Sequence, residues 1–366
     1  MSASVAGVQI PDARMDGIGP APRTGVTACL LGVSCDGGPR ENLSAMADGD
    51  LCVMAEIPEQ HADDTEWWVR ELGKKHYVGL IVGTSESEQG HRVESIARRA
   101  AARRQKPIFV LEDYPGNFSP MEDAPTFELA VESEVVDSWQ HSRGFLECPK
   151  TLVWPTPRYD RHRSQRATLR KAIGRAVRKA PVALWAGQPE TEANIASLGP
   201  LLPALKALDA KIHFKAHPKD AGYPEHYSAM FESAGLDFQD LTSLTTTQAM
   251  EQEPTLVITQ YSSVAVEAGF YGIPSLHVLF DDVAGAALVK TKGYAAPFWV
   301  QAGAAASLKD ASDAPAILSR LLHDDAYRAS IIERFDDYFC SHAGSARELA
   351  ARWLGMATSS TSSQRD

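Results

Sequence analysis

The chain has 366 residues, 44% of them hydrophobic and 23% charged, with a net charge of −11. That length is too great for one ordinary hydrophobic core and suits two, and the balance of residues is globular rather than disordered or fibrous. The negative charge excludes a general nucleic-acid binder, whose affinity for a phosphate backbone needs a basic surface, but leaves room for a pocket that takes a small phosphate-bearing ligand.

In chain order, residues 1–24 are rich in Gly, Pro, Ala and Asp and read as a flexible leader without the basic-then-apolar order of a signal peptide. A strand is predicted over 26–33, ending at the turn Cys35-Asp36-Gly37-Gly38, and a second over 51–56. Helical spacing follows over 65–75. A buried strand over 78–82 ends at Gly83-Thr84-Ser85, a helix over 92–105 follows, and a strand over 107–111 ends at Glu112-Asp113-Tyr114. Strands alternating with helices of this length predict parallel βαβ units, so 25–157 is expected to form a first Rossmann-like domain. Residues 158–180 are a basic interdomain connection, carrying Arg158, Arg161, Arg163, Arg166, Arg170, Lys171, Arg175, Arg178 and Lys179. A solvated linker helix is one reading of it; contact with an anionic acceptor or a membrane surface is another.

The alternation is cleaner in 181–340, the expected second domain. A strand over 182–185 ends at Gly187-Gln188, and a helix is expected over 192–208. A strand over 211–215 ends at His217-Pro218, and a helix follows over 223–234. The strand over 256–259 ends at Gln260-Tyr261-Ser262-Ser263, a helix covers 264–271, and a last strand covers 275–279. Residues 341–356 are expected to form a helix that packs back on the first domain, and 357–366, a Ser/Thr/Gln run, a disordered tail.

Five scattered cysteines without a Cys-x-x-Cys pair fit neither a zinc site nor a disulfide framework and read as reduced thiols of a cytoplasmic protein. No stretch approaches the ~18 apolar residues that span a membrane. No metal motif is present, and no cofactor is expected.

Each polar cluster falls just past the C-terminal end of a strand, where open parallel sheets bind ligands. At Ser262-Ser263 a buried strand gives way to a helix start, where Ser262 can cap the helix and the N–H groups near Ser263 and Val264 can face an anion. Glu267 is one turn further along the face of Ser263, placed to accept hydrogen bonds from a ribose diol. Lys215 and His217, two residues apart at a strand end, can converge on a phosphate. Trp67, Trp68 and Trp185 read as packing residues, Trp185 also as an edge of a base pocket.

A strand with Lys-x-His-Pro, then about 40 residues on a strand with Tyr-Ser-Ser-x-x-x-Glu-Ala-x-x-x-Gly-x-Pro, resembles the C-terminal domain of GT-B-fold proteins. The pattern is most similar to CDP-glycerol and capsule-polysaccharide transferases and to the UDP-N-acetylglucosamine 2-epimerase group. The resemblance covers about 182–279 and implies an α/β, GT-B-like fold with two Rossmann-like parallel-sheet domains facing a cleft. It implies that Ser262 and Ser263 hold a donor diphosphate, Glu267 the ribose and His217 a phosphate, with Gly187 and Gln188 beside the diphosphate. Glu112 stands where the epimerases carry an active-site glutamate. Thr84 stands where they carry an aspartate, and Pro218 where an arginine follows their histidine, and both departures count against epimerisation. A transferase needs only a base near the acceptor; the candidates are Glu86, Glu88, His91, Glu112 and Asp113, with Glu112 or Asp113 favoured over Glu86 or Glu88. The expected activity is transfer of a sugar or polyol phosphate from a nucleotide donor to a carbohydrate or lipid-linked acceptor in surface polysaccharide or glycoconjugate biosynthesis. A nucleotide-sugar hydrolase or 2-epimerase, and a non-catalytic nucleotide-sugar-binding module, are the alternatives.

Overall fold

In the computed structural model, residues 28–47, 50–113, 126–142, 150–173 and 180–362 are described. Two six-stranded sheets, parallel throughout, carry the fold. The first contains β1 (Cys29–Val33), β2 (Cys52–Met54), β3 (Tyr77–Val82), β4 (Ile108–Leu111), β5 (Glu128–Val131) and β6 (Lys150–Val153), in the order β2-β1-β3-β4-β5-β6. The second contains β7 (Val182–Ala186), β8 (Lys211–Lys215), β9 (Phe238–Asp240), β10 (Leu256–Thr259), β11 (Ser275–Val278) and β12 (Ala306–Leu308), in the order β12-β11-β10-β7-β8-β9. Both faces of each sheet are covered, which is why central strands such as β1, β3 and β10 are buried along their whole length rather than at alternate residues.

In the first sheet Leu31, Val33, Leu80 and Val82 pack with Trp68, Ala97 and Ala100. On the opposite face Leu30, Ile81 and Phe109 pack with Leu43, Met46, Leu349 and Trp353. The last two belong to helix Ala346–Ser362, which returns to the first domain; Trp353 Nε1 donates to Glu128 at 2.9 Å and its ring stacks on Phe109. This helix runs through Ser362, so most of the segment expected as a tail is helical. The expected leader, 1–24, lies outside the described residues.

The two expected helical stretches that differ most do so for local reasons. The stretch 192–208 is broken into Thr191–Leu198, a 3-10 turn Gly199–Leu201 and Leu202–Ala207, with Pro200 and Pro203 each starting a new segment because proline cannot donate to the preceding turn. The basic connection is a turn, Pro157–Tyr159, followed by helix Asp160–Ile173. Several of its cations are spent inside the protein. Arg163 binds Asp160 and the Thr156 carbonyl, while Arg166 and Arg170 both reach Asp336. Arg161 and Lys171 are exposed; Arg175, Arg178 and Lys179 lie outside the described residues. Tyr159, Phe270, Trp299, Phe335 and Phe339 join the two domains in one apolar cluster behind the connection.

Chain order reverses beside β1 and β3 in the first sheet and beside β7 and β10 in the second. These are the switch points of the two sheets, where loops leave in opposite directions and open a crevice.

Candidate functional site

The loops from both switch points line one cavity of about 750 Å³ between the domains. From the second domain come Gln188, after β7, His217, after β8, and Tyr261, Ser262 and Ser263, after β10. From the first come Thr84 and Ser85, after β3, Asp113, after β4, and Glu94 and Arg98 of helix Glu88–Arg103, with Arg158 at the head of the connection.

Asn194, fully buried, sets the Gln188 loop. Its Oδ1 accepts from Gln188 N–H at 2.8 Å and its Nδ2 donates to the Gln188 carbonyl at 2.7 Å and to Asp220 at 3.1 Å. Gln188 is itself 7% exposed, and its Nε2 is buried without a partner among the described residues, so the amide is a donor held ready at the cavity wall. His217 Nδ1 accepts from the Lys219 N–H at 3.1 Å, which leaves Nε2 to carry the proton of the neutral ring. Burial, and then Lys219, hold its pKa below the ordinary value, against the pull of Glu190 and Asp220.

Beneath the serines, the buried Gln260 side chain donates to the Ala193 carbonyl at 2.8 Å and to Ser197 Oγ at 2.7 Å. His277 donates from Nδ1 to the Gln260 carbonyl at 2.8 Å and accepts from Trp299 Nε1 at 3.1 Å. Complete burial pushes this histidine down to about 4, so it stays a neutral strut.

On the opposite wall Asp113 Oδ1 accepts from Arg158 Nη1 at 2.9 Å and from Asn42 Nδ2 at 3.0 Å, and its backbone N–H donates to Thr84 Oγ1 at 3.0 Å. Burial raises the Asp113 carboxyl, while Arg158 pulls it back. Burial opposes the Arg158 charge, but the fields of Tyr159, Asp113 and Glu41 outweigh it and raise the guanidinium. Gly38 makes this pairing fit: a Cβ there would stand 2.4 Å from Asp113 Oδ2. Glu86 and Lys292 form an ion pair across the cleft.

Gln188, His217, Ser262, Ser263, Asp113, Glu86 and His91 thus meet at the cavity, and other expected residues do not. Glu112 is buried and accepts from Gln140 Nε2 at 3.0 Å. Both residues lie past the end of β4, where Asp113 lines the cleft and Glu112 turns to the helix Glu134–Ser142. Lys215 Nζ donates to the Thr242 and Leu244 carbonyls; β8 ends at Lys215, so the strand alternation that would align it with His217 stops there. Glu88 is exposed in the first turn of its helix. Gly187 sits behind the cavity wall, its N–H bound to the Lys215 carbonyl at 3.0 Å, and Trp185 is 1% exposed in the core rather than at a base pocket. Ser262 Oγ accepts from Val264 N–H at 3.3 Å, while Ser263 occupies the cap position without a side-chain bond. One of the two N–H groups expected to face an anion is therefore taken. Glu267 is half-buried outside the cavity lining, and burial pushes it up to about 7, against the opposing pull of Arg158.

No protein-family profile matches the chain. No curated protein matches it. Its structure is similar to MurG of Acinetobacter baumannii, at 13% identity and a TM-score of 0.55 over 91% of this chain and 99% of that one. It is similar to the UDP-GlcNAc 2-epimerase of Methanocaldococcus jannaschii solved with UDP-GlcNAc and UDP, at 11% identity and a TM-score of 0.55 over 90% and 99%. It is also similar to the glycosyltransferase SnogD of Streptomyces nogalater, at 13% identity and a TM-score of 0.51 over 90% and 100%. The chain has the GT-B fold.

Within that GT-B frame, Glu94, Arg98 and Arg158 are cavity residues that the sequence does not single out. Arg158 reads as one more charge in a basic run, and Glu94 and Arg98 as ordinary polar positions of an amphipathic helix. The one available signal is that Glu94 and Arg98 lie four apart, on the face that also carries the buried Ala97 and Ala101. Among the described residues no group of three or more His, Cys, Asp or Glu side chains is placed to hold a metal ion, and no helix is long and apolar enough to cross a membrane.

Proposed function

We propose that the protein is a nucleotide-sugar-dependent glycosyltransferase. The observation that carries this reading is the single cavity at both switch points. Its second-domain wall sets neutral donors beside Glu190 and Lys292, and its first-domain wall sets acids and arginines beside the hydroxyls of Thr84 and Ser85. In this reading the donor diphosphate lies against Ser262, Ser263, the Gln188 amide and the His217 Nε2–H. Glu267, one turn along the helix, lies outside the cavity lining and is not assigned to the ribose. Lys292 and Arg158 supply positive charge toward the leaving group. The acceptor, a carbohydrate or a related hydroxyl compound, enters along the first domain. Neighbours that carry UDP and UDP-GlcNAc support a nucleotide sugar as the ligand.

Transfer is favoured over 2-epimerisation by the placement of Glu112. Epimerisation needs groups that remove and return a proton on opposite faces of a sugar carbon. Glu112 is committed to Gln140 outside the cavity lining, and Thr84 replaces the other acid.

Titration calorimetry with UDP, CDP, GDP and ADP tests the reading. Binding of one of them at micromolar Kd is expected, and binding of none refutes it. Release of the nucleoside diphosphate from the matching nucleotide sugar only when a carbohydrate acceptor is added separates transfer from hydrolysis.

A further inference from the structure

Glu94 is 4% exposed and yet lines the cleft. Ser85 Oγ donates to Glu94 Oε1 at 2.6 Å, and the Ser85 N–H donates to Oε2 at 3.1 Å. Ser34 Oγ stands 3.3 Å from the same serine hydroxyl. All these donors are neutral, and Asp36, a charge that acts on Glu94, has the same sign. Each carboxylate oxygen keeps acceptor capacity beyond these bonds.

Two glycines make the arrangement fit. A Cβ at Gly83 would stand 3.4 Å from Glu94 Oε1 and 2.5 Å from Pro39 Cβ, so glycine keeps the cavity open beside the carboxylate. A Cβ at Gly90 would stand 2.6 Å from Ser85 Cβ, so glycine lets the loop after β3 seat on the helix that carries Glu94.

We propose that Glu94 is the catalytic base of the cleft, taking the proton of the acceptor hydroxyl, with Ser85 as its positioning residue. This assignment rests on the nucleotide-sugar reading above. In the step, the acceptor oxygen bonds to the anomeric carbon of the donor. The bond from that carbon to the diphosphate breaks, and its electron pair leaves on the nucleoside diphosphate. The acceptor proton passes to the Glu94 carboxylate and from there to water.

Asp113 is less suited, because its Oδ1 is already held by Arg158 and Asn42, and an ion pair lowers the basicity of a carboxylate. A base works best when its pKa lies near the working pH. Burial pushes Glu94 up to about 7, with the Ser85 and Ser34 hydrogen bonds pulling the other way.

The test uses Glu94→Gln, which keeps the shape and an acceptor for the Ser85 N–H, and Ser85→Ala. UDP binding is measured by calorimetry, and UDP release from UDP-sugars is followed between pH 5 and 9 with water and a set of sugars as acceptors. The wild type is expected to bind UDP and to gain activity with rising pH through a limb near 7. Glu94→Gln should bind UDP within threefold of wild type, melt within a few degrees of it, turn over at least 100-fold more slowly and lose the limb. Ser85→Ala should move the limb to higher pH, because it removes a hydrogen bond that favours the charged carboxylate. A purely structural Glu94 would not produce that shift. A Glu94→Gln rate within threefold of wild type overturns the proposal, as does an unmoved limb in both variants. So does a wild type that binds UDP but turns over no UDP-sugar. A wild type that binds no nucleotide fails the reading beneath it instead.

Discussion

Asn194 offers the sharpest probe of how the second domain builds its wall. The side chain is fully buried and makes three hydrogen bonds, two to the backbone of Gln188 and one to Asp220. Asn194→Ala removes all three and leaves a buried N–H and a buried carbonyl unpaired. At about 1 kcal/mol for each net bond, the expected loss is about 3 kcal/mol. For a domain of this size each kcal/mol moves Tm by roughly 2–4 °C, so the melt should fall by about 6–12 °C. The released loop also carries the Gln188 amide, so nucleotide affinity should drop about tenfold, or about 1.4 kcal/mol. Thermal melts and calorimetry with the nucleotide that binds wild type read the two effects. Asn194→Asp should be no better, since a carboxylate can accept from Gln188 but cannot donate to its carbonyl or to Asp220. A Tm within 2 °C of wild type, together with unchanged affinity, would refute the reasoning.

Two further outcomes are expected. Glu267 has its pKa raised by burial from 4.5 to about 7, so the folded state holds its proton more tightly than the unfolded chain. The stability this gives is complete below pH 4.5 and drains as pH rises through 7. Glu267→Gln should therefore melt higher than wild type at pH 8, and the two should converge at pH 4.5; an equal gap at both pH values would sink the argument. Gly269→Ala would place a methyl 2.2 Å from the Phe335 ring in the apolar cluster that joins the domains, and should cost about 1–3 kcal/mol in urea unfolding. A wild-type midpoint would show that the ring can yield.

Several strands were legible because a parallel strand covered on both faces is a short unbroken apolar run. Residues 78–82, 256–259 and 275–279 could hardly be read otherwise. The ends of the runs 78–82, 107–111, 182–185, 211–215 and 256–259 marked Ser85, Asp113, Gln188, His217 and Ser262-Ser263, since the topology of an open parallel sheet sends ligands to the carboxyl ends of its strands. Short edge strands such as β9 and β12, three residues each, carry too little periodicity to stand out.

The chain by itself therefore determined two parallel-sheet units and the loops that would face a ligand, because both follow from local pattern and strand direction. The tertiary structure decided which side chains those loops present. Glu112 and Asp113 are neighbours in sequence, and only the packing of helix Glu134–Ser142 sends one to Gln140 and the other to Arg158. Lys215 was lost to carbonyls of a loop about 30 residues away in sequence. Glu94 entered the wall because its helix lies against the turn after β3, with Gly90 allowing the approach. The anion-facing loops were visible in the sequence because they are local. The acid opposite them was not, because its environment is assembled from residues distant along the chain.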